Sequence, residues 1–217
     1  PDKICDQIAD GILDAALAQD PTSKMAVECT IKDDFVLIYG EANTNAVIDY
    51  EQIALHTIRE IGYEEAYHVM VKVNKQSNEI NQAVMQDGSA MGAGDQGIMF
   101  GYACDDTDNY MPAAIDYAHR LAKRLSDVRG DHPILKPDGK TQVSVEYEDD
   151  HVKRIDTIVV STQHSKDATQ EEIADLIMKE VIQPTIDPKL IDENTKFLIN
   201  PSGSFVLGGS FGDSGTT

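Results

Sequence analysis

Three glycines stand at G-x-G-x-x-G spacing in Gly92-Ala93-Gly94-Asp95-Gln96-Gly97, a pattern that can bring backbone N–H groups up to a pyrophosphate. That chemistry needs a hydrophobic strand before the loop and a helix after it. Here Gln86-Asp87-Gly88-Ser89-Ala90-Met91 precedes the loop and is itself loop-like. Met99-Phe100-Gly101-Tyr102 follows and does not continue as an amphipathic helix. A dinucleotide site lacks its context. Asp105-Asp106-Thr107-Asp108 offers carboxylates for a cation, but without the glycine and distal glutamate of a calcium loop. Cys5, Cys29 and Cys104 are scattered and without C-x-x-C spacing, which suits reduced thiols in a cytosolic protein better than a disulfide framework or zinc site.

Charge narrows the partners. The 217 residues include 38 acidic and 18 basic side chains, a formal net charge of −20. Such a field opposes nonspecific binding to nucleic acid or anionic lipid, which relies on Lys and Arg. It also repels free nucleotide triphosphates, so nucleotide chemistry requires divalent cations and a local group of basic residues. Apolar residues make up 41%, and no apolar run approaches the roughly 18 residues of a membrane span. The sequence opens Pro1-Asp2-Lys3, with Asp6, Asp10 and Asp14 interrupting any signal-like stretch. A cytoplasmic protein without membrane or nucleic-acid partners is expected. The first residue is not Met, which points to processing or truncation.

The elements that must position the candidate residues repeat an order. Ile4, Ile8, Ile12 and Ala16 recur at intervals of four, predicting a helix over 4–18. Met25–Ile31 and Phe35–Glu41 are apolar-rich runs split by Lys32-Asp33-Asp34, a hairpin signal. A second helix fits Asp49–Ile61 with Gly62 as its cap, and Tyr67–Val73 alternates as a strand. Then Pro112 starts a helix bearing Ile115, Ala118, Leu121, Leu125 and Val128. Val143–Tyr147 and Ile155–Val160 read as a hairpin, and Thr169-Gln170-Glu171-Glu172 as a capping box. Pro184 ends that helix, and Phe197-Leu198-Ile199 is a final strand. Two αββαβ units predict a duplicated α+β fold, divided as 1–100 and 101–217.

The string from Gly92 through Gly97 into Ile98-Met99-Phe100-Gly101-Tyr102-Ala103 resembles the signature of the methionine adenosyltransferase (S-adenosylmethionine synthetase) family. Further segments resemble that family in the right order. They are Pro1-Asp2-Lys3-Ile4-Cys5-Asp6-Gln7-Ile8; Lys75-Gln76-Ser77 with Ile80-Asn81-Gln82; Pro137-Asp138-Gly139-Lys140-Thr141-Gln142-Val143; and Ser161-Thr162-Gln163-His164-Ser165. Asn200-Pro201-Ser202-Gly203, Gly208-Gly209 and Gly212-Asp213 resemble the close of its central domain. The chain is thus identified as carrying the family's N-terminal and central domains. The implied fold is a pseudo-symmetric array of αββαβ units, with the family's third repeat absent from this sequence.

The resemblance implies formation of S-adenosylmethionine from ATP and L-methionine, with release of pyrophosphate and phosphate. It makes Asp2 the magnesium ligand and Glu28 the carboxylate associated with potassium. Glu41, Gln76 and Asp213 correspond to methionine contacts. Asp138, Gly139, Lys140, Ser204, Phe205 and Asp213 correspond to ATP contacts, and Asp95 and Lys140 to catalytic positions. Each has an ordinary reading on its own: Asp2 a helix N-terminal acid, Glu28 an outward strand residue, Asp95 a turn aspartate, Lys140 a turn lysine, Phe205 core. Gln163 and His164 lie in a matching segment where a histidine can be structural. The glycines between Gln76 and Gly97 predict a loop that closes over the methionine site.

Departures from the family pattern leave two outcomes open. Ser204 stands where the family string has arginine, Glu79 where it has aspartate, and the family's histidine before Pro1 and third-repeat lysines are not in this sequence. The chain is then either part of an active methionine adenosyltransferase or a truncated or degenerate noncatalytic homologue acting as a partner-binding subunit. The family also implies a homodimer or homotetramer with active sites built between subunits.

Overall fold

The computed structural model describes residues 1–75, 85–86, 90–91 and 96–217. Its elements are α1 (Asp2–Gln19), β1 (Lys24–Lys32), β2 (Phe35–Asn43), α2 (Tyr50–Ile61), β3 (His68–Lys75), β4 (Met85–Gln86) and β5 (Ala90–Met91). They continue as α3 (Ala113–Arg129), β6 (Leu135–Glu148), β7 (His151–His164), α4 (Gln170–Leu176), β8 (Lys196–Ile199) and β9 (Gly215–Thr216). Two compact units divide them: Pro1–Phe100 with Gly209–Thr217, and Gly101–Gly208. The α+β class expected from the sequence is the one observed.

In the first unit the sheet runs β3-β2-β1-β9. β1 and β2 form the expected hairpin, with Asp33 at φ +50° in its turn. α2 then carries the chain across to β3, which lies parallel to β2. Ile4, Cys5, Ile8, Ile12 and Ala16 bury one face of α1, because residues four apart stack on a helix. Ile4, Cys5, Ile8 and Ile12 pack with Cys29, Ile31, Val36, Ile38 and Ile58. Each fully buried isoleucine is worth about 1.5–3 kcal/mol.

The last nine residues join this unit, whereas division at residue 100 left them with the second. Ser210 is buried; its hydroxyl donates to Asp33 O at 2.6 Å, while Asp33 N donates to Ser210 O at 2.8 Å. β9 then pairs antiparallel with β1 at Thr30 and Ile31. Helical and alternating periodicities carry no signal for such a two-residue strand, so composition alone keeps it with its chain neighbours.

Asp20 fastens the loops at the far end of α1. Its Oδ1 accepts from Thr22 N and Oγ1 at 3.0 and 2.6 Å, and its Oδ2 from Asn45 N and Nδ2 at 2.9 and 3.1 Å. The Thr22 hydroxyl, then the Asn45 and Thr22 amides, hold its pKa down to about 2 from 3.8. A depressed carboxylate stabilises the fold above its unfolded pKa and loses that contribution as pH falls through the folded one. Asp20→Asn is therefore expected to lower the melting temperature at pH 7, and the difference from wild type should shrink between about pH 4 and pH 2. Thermal unfolding across that range measures it; a constant difference would remove the ionised carboxylate from the explanation.

The second unit repeats the topology. β6 and β7 are antiparallel and β8 lies parallel to β7, giving the order β6-β7-β8. Asp149 and Asp150, at φ +50° and +62°, make a turn whose twist suits the hairpin. α3 begins after Pro112, which has no side-chain acceptor, and Asp106 Oδ2 takes Ala113 N at 3.0 Å instead. α4 opens with the expected capping box, Thr169 N donating to Glu172 Oε2 and Glu172 N to Thr169 Oγ1. Over Ile177–Ile182 the helix widens to bonds spanning five residues. Pro184 has no N–H for Glu180 O, four residues earlier, and Arg124 Nε of α3 donates to that carbonyl at 2.8 Å.

Both hairpin strands are longer than the periodicity predicts. β6 begins at Leu135, before Pro137-Asp138-Gly139, because a shift in register between Leu135 and Gly139 accommodates the proline. A sequence typical of a turn lies within a strand.

Candidate active site

Three predicted residues of the first unit lie along β9 and the strand beside it. Asp2 opens α1, and its Oδ1 accepts from Thr216 N at 3.1 Å. Glu28 Oε2 accepts from the Thr217 hydroxyl, while Cys29 O accepts from Thr217 N at 3.0 Å. Successive residues of one segment thus tie together the N-terminus of α1 and the middle of β1. Gly215 makes this possible: a Cβ there would sit 2.5 Å from Pro1 C and 2.9 Å from Asp2 N. Asp213 precedes the strand and is exposed, with Oδ1 accepting from Ser214 N at 2.8 Å.

Glu41 belongs to the same sheet. Glu28 pairs with Tyr39 and Ala26 with Glu41, so alternation puts both glutamates on one face, one residue pair apart diagonally. This is the face away from the helices, where Phe35, Tyr39 and Met70 are also exposed. Gln76 and Asp95 lie outside the described residues, as do most of the loop expected to close over the site and the glycines 92 and 94.

In the second unit the predicted residues converge on the end of β7. Gly139 pairs with Thr162 and Lys140 with Ser161 on one edge of that strand. On its other side the chain returns after β8. Asn200, at φ +43°, accepts Thr162 N through Oδ1 at 2.8 Å and donates through Nδ2 to Thr162 O at 3.1 Å, extending the ladder with an amide side chain. His164 N donates to Phe205 O at 3.0 Å, and Phe205 N donates to His164 Nε2 at 2.9 Å. His164 Nδ1 lies 2.8 Å from Ser165 O, which can only accept, so the neutral ring carries its proton on Nδ1.

Gln163 bridges the two sides. Its Oε1 accepts from Asp138 N at 3.3 Å and its Nε2 donates to Val206 O at 3.0 Å. Thr162, Gln163, His164 and Asn200 are all buried. Lys140 and Ser204 remain exposed, and Phe205 is half-buried. The arrangement is a buried polar frame presenting an exposed cation, a short hydroxyl side chain and an aromatic ring. The frame's signal in the sequence is the polar run Ser161-Thr162-Gln163-His164-Ser165 directly after Ile158-Val159-Val160.

The acidic loop 105–108 does other work. Asp106 accepts from Tyr147 Oη at 2.5 Å as well as from Ala113 N; the hydroxyl, then the amide, lower its pKa, and the same bond pushes Tyr147 up to about 12. Among the described residues no group of three or more His, Cys, Asp or Glu side chains is placed to hold a metal ion. Among them too, no helix is long and apolar enough to cross a membrane.

Comparison with known proteins matches the sequence to a family. The model of the S-adenosylmethionine synthetase N-terminal domain matches residues 1–87, and that of the central domain residues 90–205. Proteins named S-adenosylmethionine synthase are similar along the whole chain: one from Myxococcus xanthus is 47% identical, one from Desulfosudis oleivorans 48% and one from Clostridium tetani 46%. The chain spans 57%, 59% and 61% of those relatives' own lengths. With the two domain models matching residues 1–87 and 90–205 in succession, the chain belongs to the S-adenosylmethionine synthetase family and carries its N-terminal and central domains.

Proposed function

We propose that the full-length protein is a methionine adenosyltransferase, joining the sulfur of L-methionine to the 5′ carbon of ATP with expulsion of triphosphate and its cleavage to pyrophosphate and phosphate. The observation that carries this reading is the convergence of residues 138–140 and 204–206 on the buried polar end of β7, in a chain of this family. A thioether is already nucleophilic, so the protein must align sulfur, carbon and leaving oxygen and stabilise a departing polyanion. Lys140 supplies a compact positive charge to that polyanion. Asp138 and Gly139 present backbone beside it, and Phe205 offers a ring face to adenine. Glu41 and Asp213 suit the methionine ammonium group, with Gln76 as a further polar contact and Asp95 as a further acidic group.

A divalent cation fits Asp2: magnesium prefers one or two carboxylates, with phosphate oxygens and water completing its shell. Glu28 is the candidate for potassium. When bound, magnesium supplies charge neutralisation to the triphosphate. The family further suggests a cytoplasmic homodimer or homotetramer whose sites draw on two subunits, and the exposed apolar sheet face with Phe35, Tyr39 and Met70 suits such an assembly.

Ser204, in place of the family's arginine, favours a second reading, a noncatalytic partner-binding subunit, since serine cannot supply a guanidinium's paired phosphate donors. One assay separates them. Full-length protein with ATP, L-methionine, Mg2+ and K+ should yield S-adenosylmethionine with pyrophosphate and phosphate in equal amounts. Absence of product from protein of verified full length would overturn the enzyme reading.

A further inference from the structure

We infer that Gln163 and His164 are positioning residues for ATP, setting the spacing between the 138–140 strand and the 204–206 segment; this rests on the methionine adenosyltransferase reading. Neither side chain is exposed enough to meet substrate, and each is committed to main chain on a segment that is. Gln163 uses both ends of its amide, accepting from Asp138 N at 3.3 Å and donating to Val206 O at 3.0 Å. His164 accepts from Phe205 N at 2.9 Å and is oriented by its own donation to Ser165 O.

The need for these side chains follows from the strand. The register shift between Leu135 and Gly139 takes Asp138 out of the regular β6–β7 ladder, so its N–H finds an amide side chain rather than a backbone carbonyl. On the other side, residues 200–206 follow β8 without continuing it, and reach β7 through Asn200, Phe205 and Val206. Without the two side chains, Asp138 N loses its bond to Gln163 and Phe205 N its bond to His164, and loss of such bonds at partly buried donors drives local rearrangement. A shift of about 1 Å in either segment is enough to degrade the alignment of a bound triphosphate. Gln163 and His164 thus act on ATP through Lys140, Ser204 and Phe205, and leave methionine binding to groups on the first unit.

The test uses full-length protein and steady-state kinetics with each substrate varied. His164→Leu and Gln163→Met should each raise KM for ATP at least tenfold and leave KM for methionine within twofold. His164→Gln, whose Oε1 can reach Phe205 N, should recover most of the ATP affinity lost in His164→Leu. Equal changes in both KM values, or His164→Gln no better than His164→Leu, would overturn the positioning role in favour of general destabilisation. Should His164→Leu fail to fold, His164→Gln against Gln163→Met decides: a selective ATP defect in the second and a smaller one in the first supports the inference, and wild-type ATP kinetics in Gln163→Met overturns it. A wild-type protein that makes no S-adenosylmethionine fails the underlying reading instead, a result visible before any variant is compared.

Discussion

Lys140→Met in the full-length protein is expected to lower kcat for S-adenosylmethionine formation by about 10²–10³-fold, the usual effect of removing one charged or hydrogen-bonding group aimed at developing negative charge. Triphosphate gains charge at the bridging oxygen as the carbon–oxygen bond breaks, so a cation near it stabilises the transition state more than bound ATP. KM for ATP should therefore change less than kcat. Methionine preserves the length and apolar stem of lysine and deletes the charge, and residue 140 is exposed on a strand paired at Ser161, which keeps folding out of the result. Lys140→Arg should recover part of the rate, since its charge persists in a wider, planar head group. A kcat within threefold of wild type in Lys140→Met would remove residue 140 from the chemistry and shift attention to cations outside this sequence.

How Lys140 is held could be read only in part from the residues. The helices and hairpins follow from periodicity: isoleucines four apart place α1, and Thr169 with Glu172 opens α4. Pro137-Asp138-Gly139 has the composition of a turn, yet a register shift and Gln163 keep it within β6. The contribution of Gln163 is a long-range one, 25 positions from Asp138, and no local pattern encodes it. The same holds for β9. Its two residues have too little length for alternation to register, and only folding brings Thr216 to Asp2 and Thr217 to Glu28. The family motifs single out such segments; what each side chain touches comes from the fold.

Gly40→Ala is expected to destabilise the protein by about 3 kcal/mol or more, from left-handed backbone strain of about 1–3 kcal/mol and overpacking of similar size. Gly40 sits in β2 at φ +130°, opposite Val27 of β1. A Cβ at residue 40 would lie 2.0 Å from Ala26 O, a backbone atom of the paired strand that cannot swing away as a side chain could. Either the strands separate locally or β2 abandons that φ, and both options break pairing in the middle of a nine-residue hairpin strand. Glu41 follows directly and pairs with Ala26, so the same displacement moves the carboxylate proposed for methionine. A loss of that size corresponds to a fall of about 6–12 °C in melting temperature for a protein of this length. Gly101→Ala provides the control, since a Cβ there meets nothing within 4 Å and should leave the melting temperature nearly unchanged. Thermal unfolding of both variants beside wild type measures the difference. Equal melting temperatures for Gly40→Ala and Gly101→Ala would mean that β1 and β2 can part at residue 40 without cost, and that glycine there neither shapes the sheet nor aims Glu41.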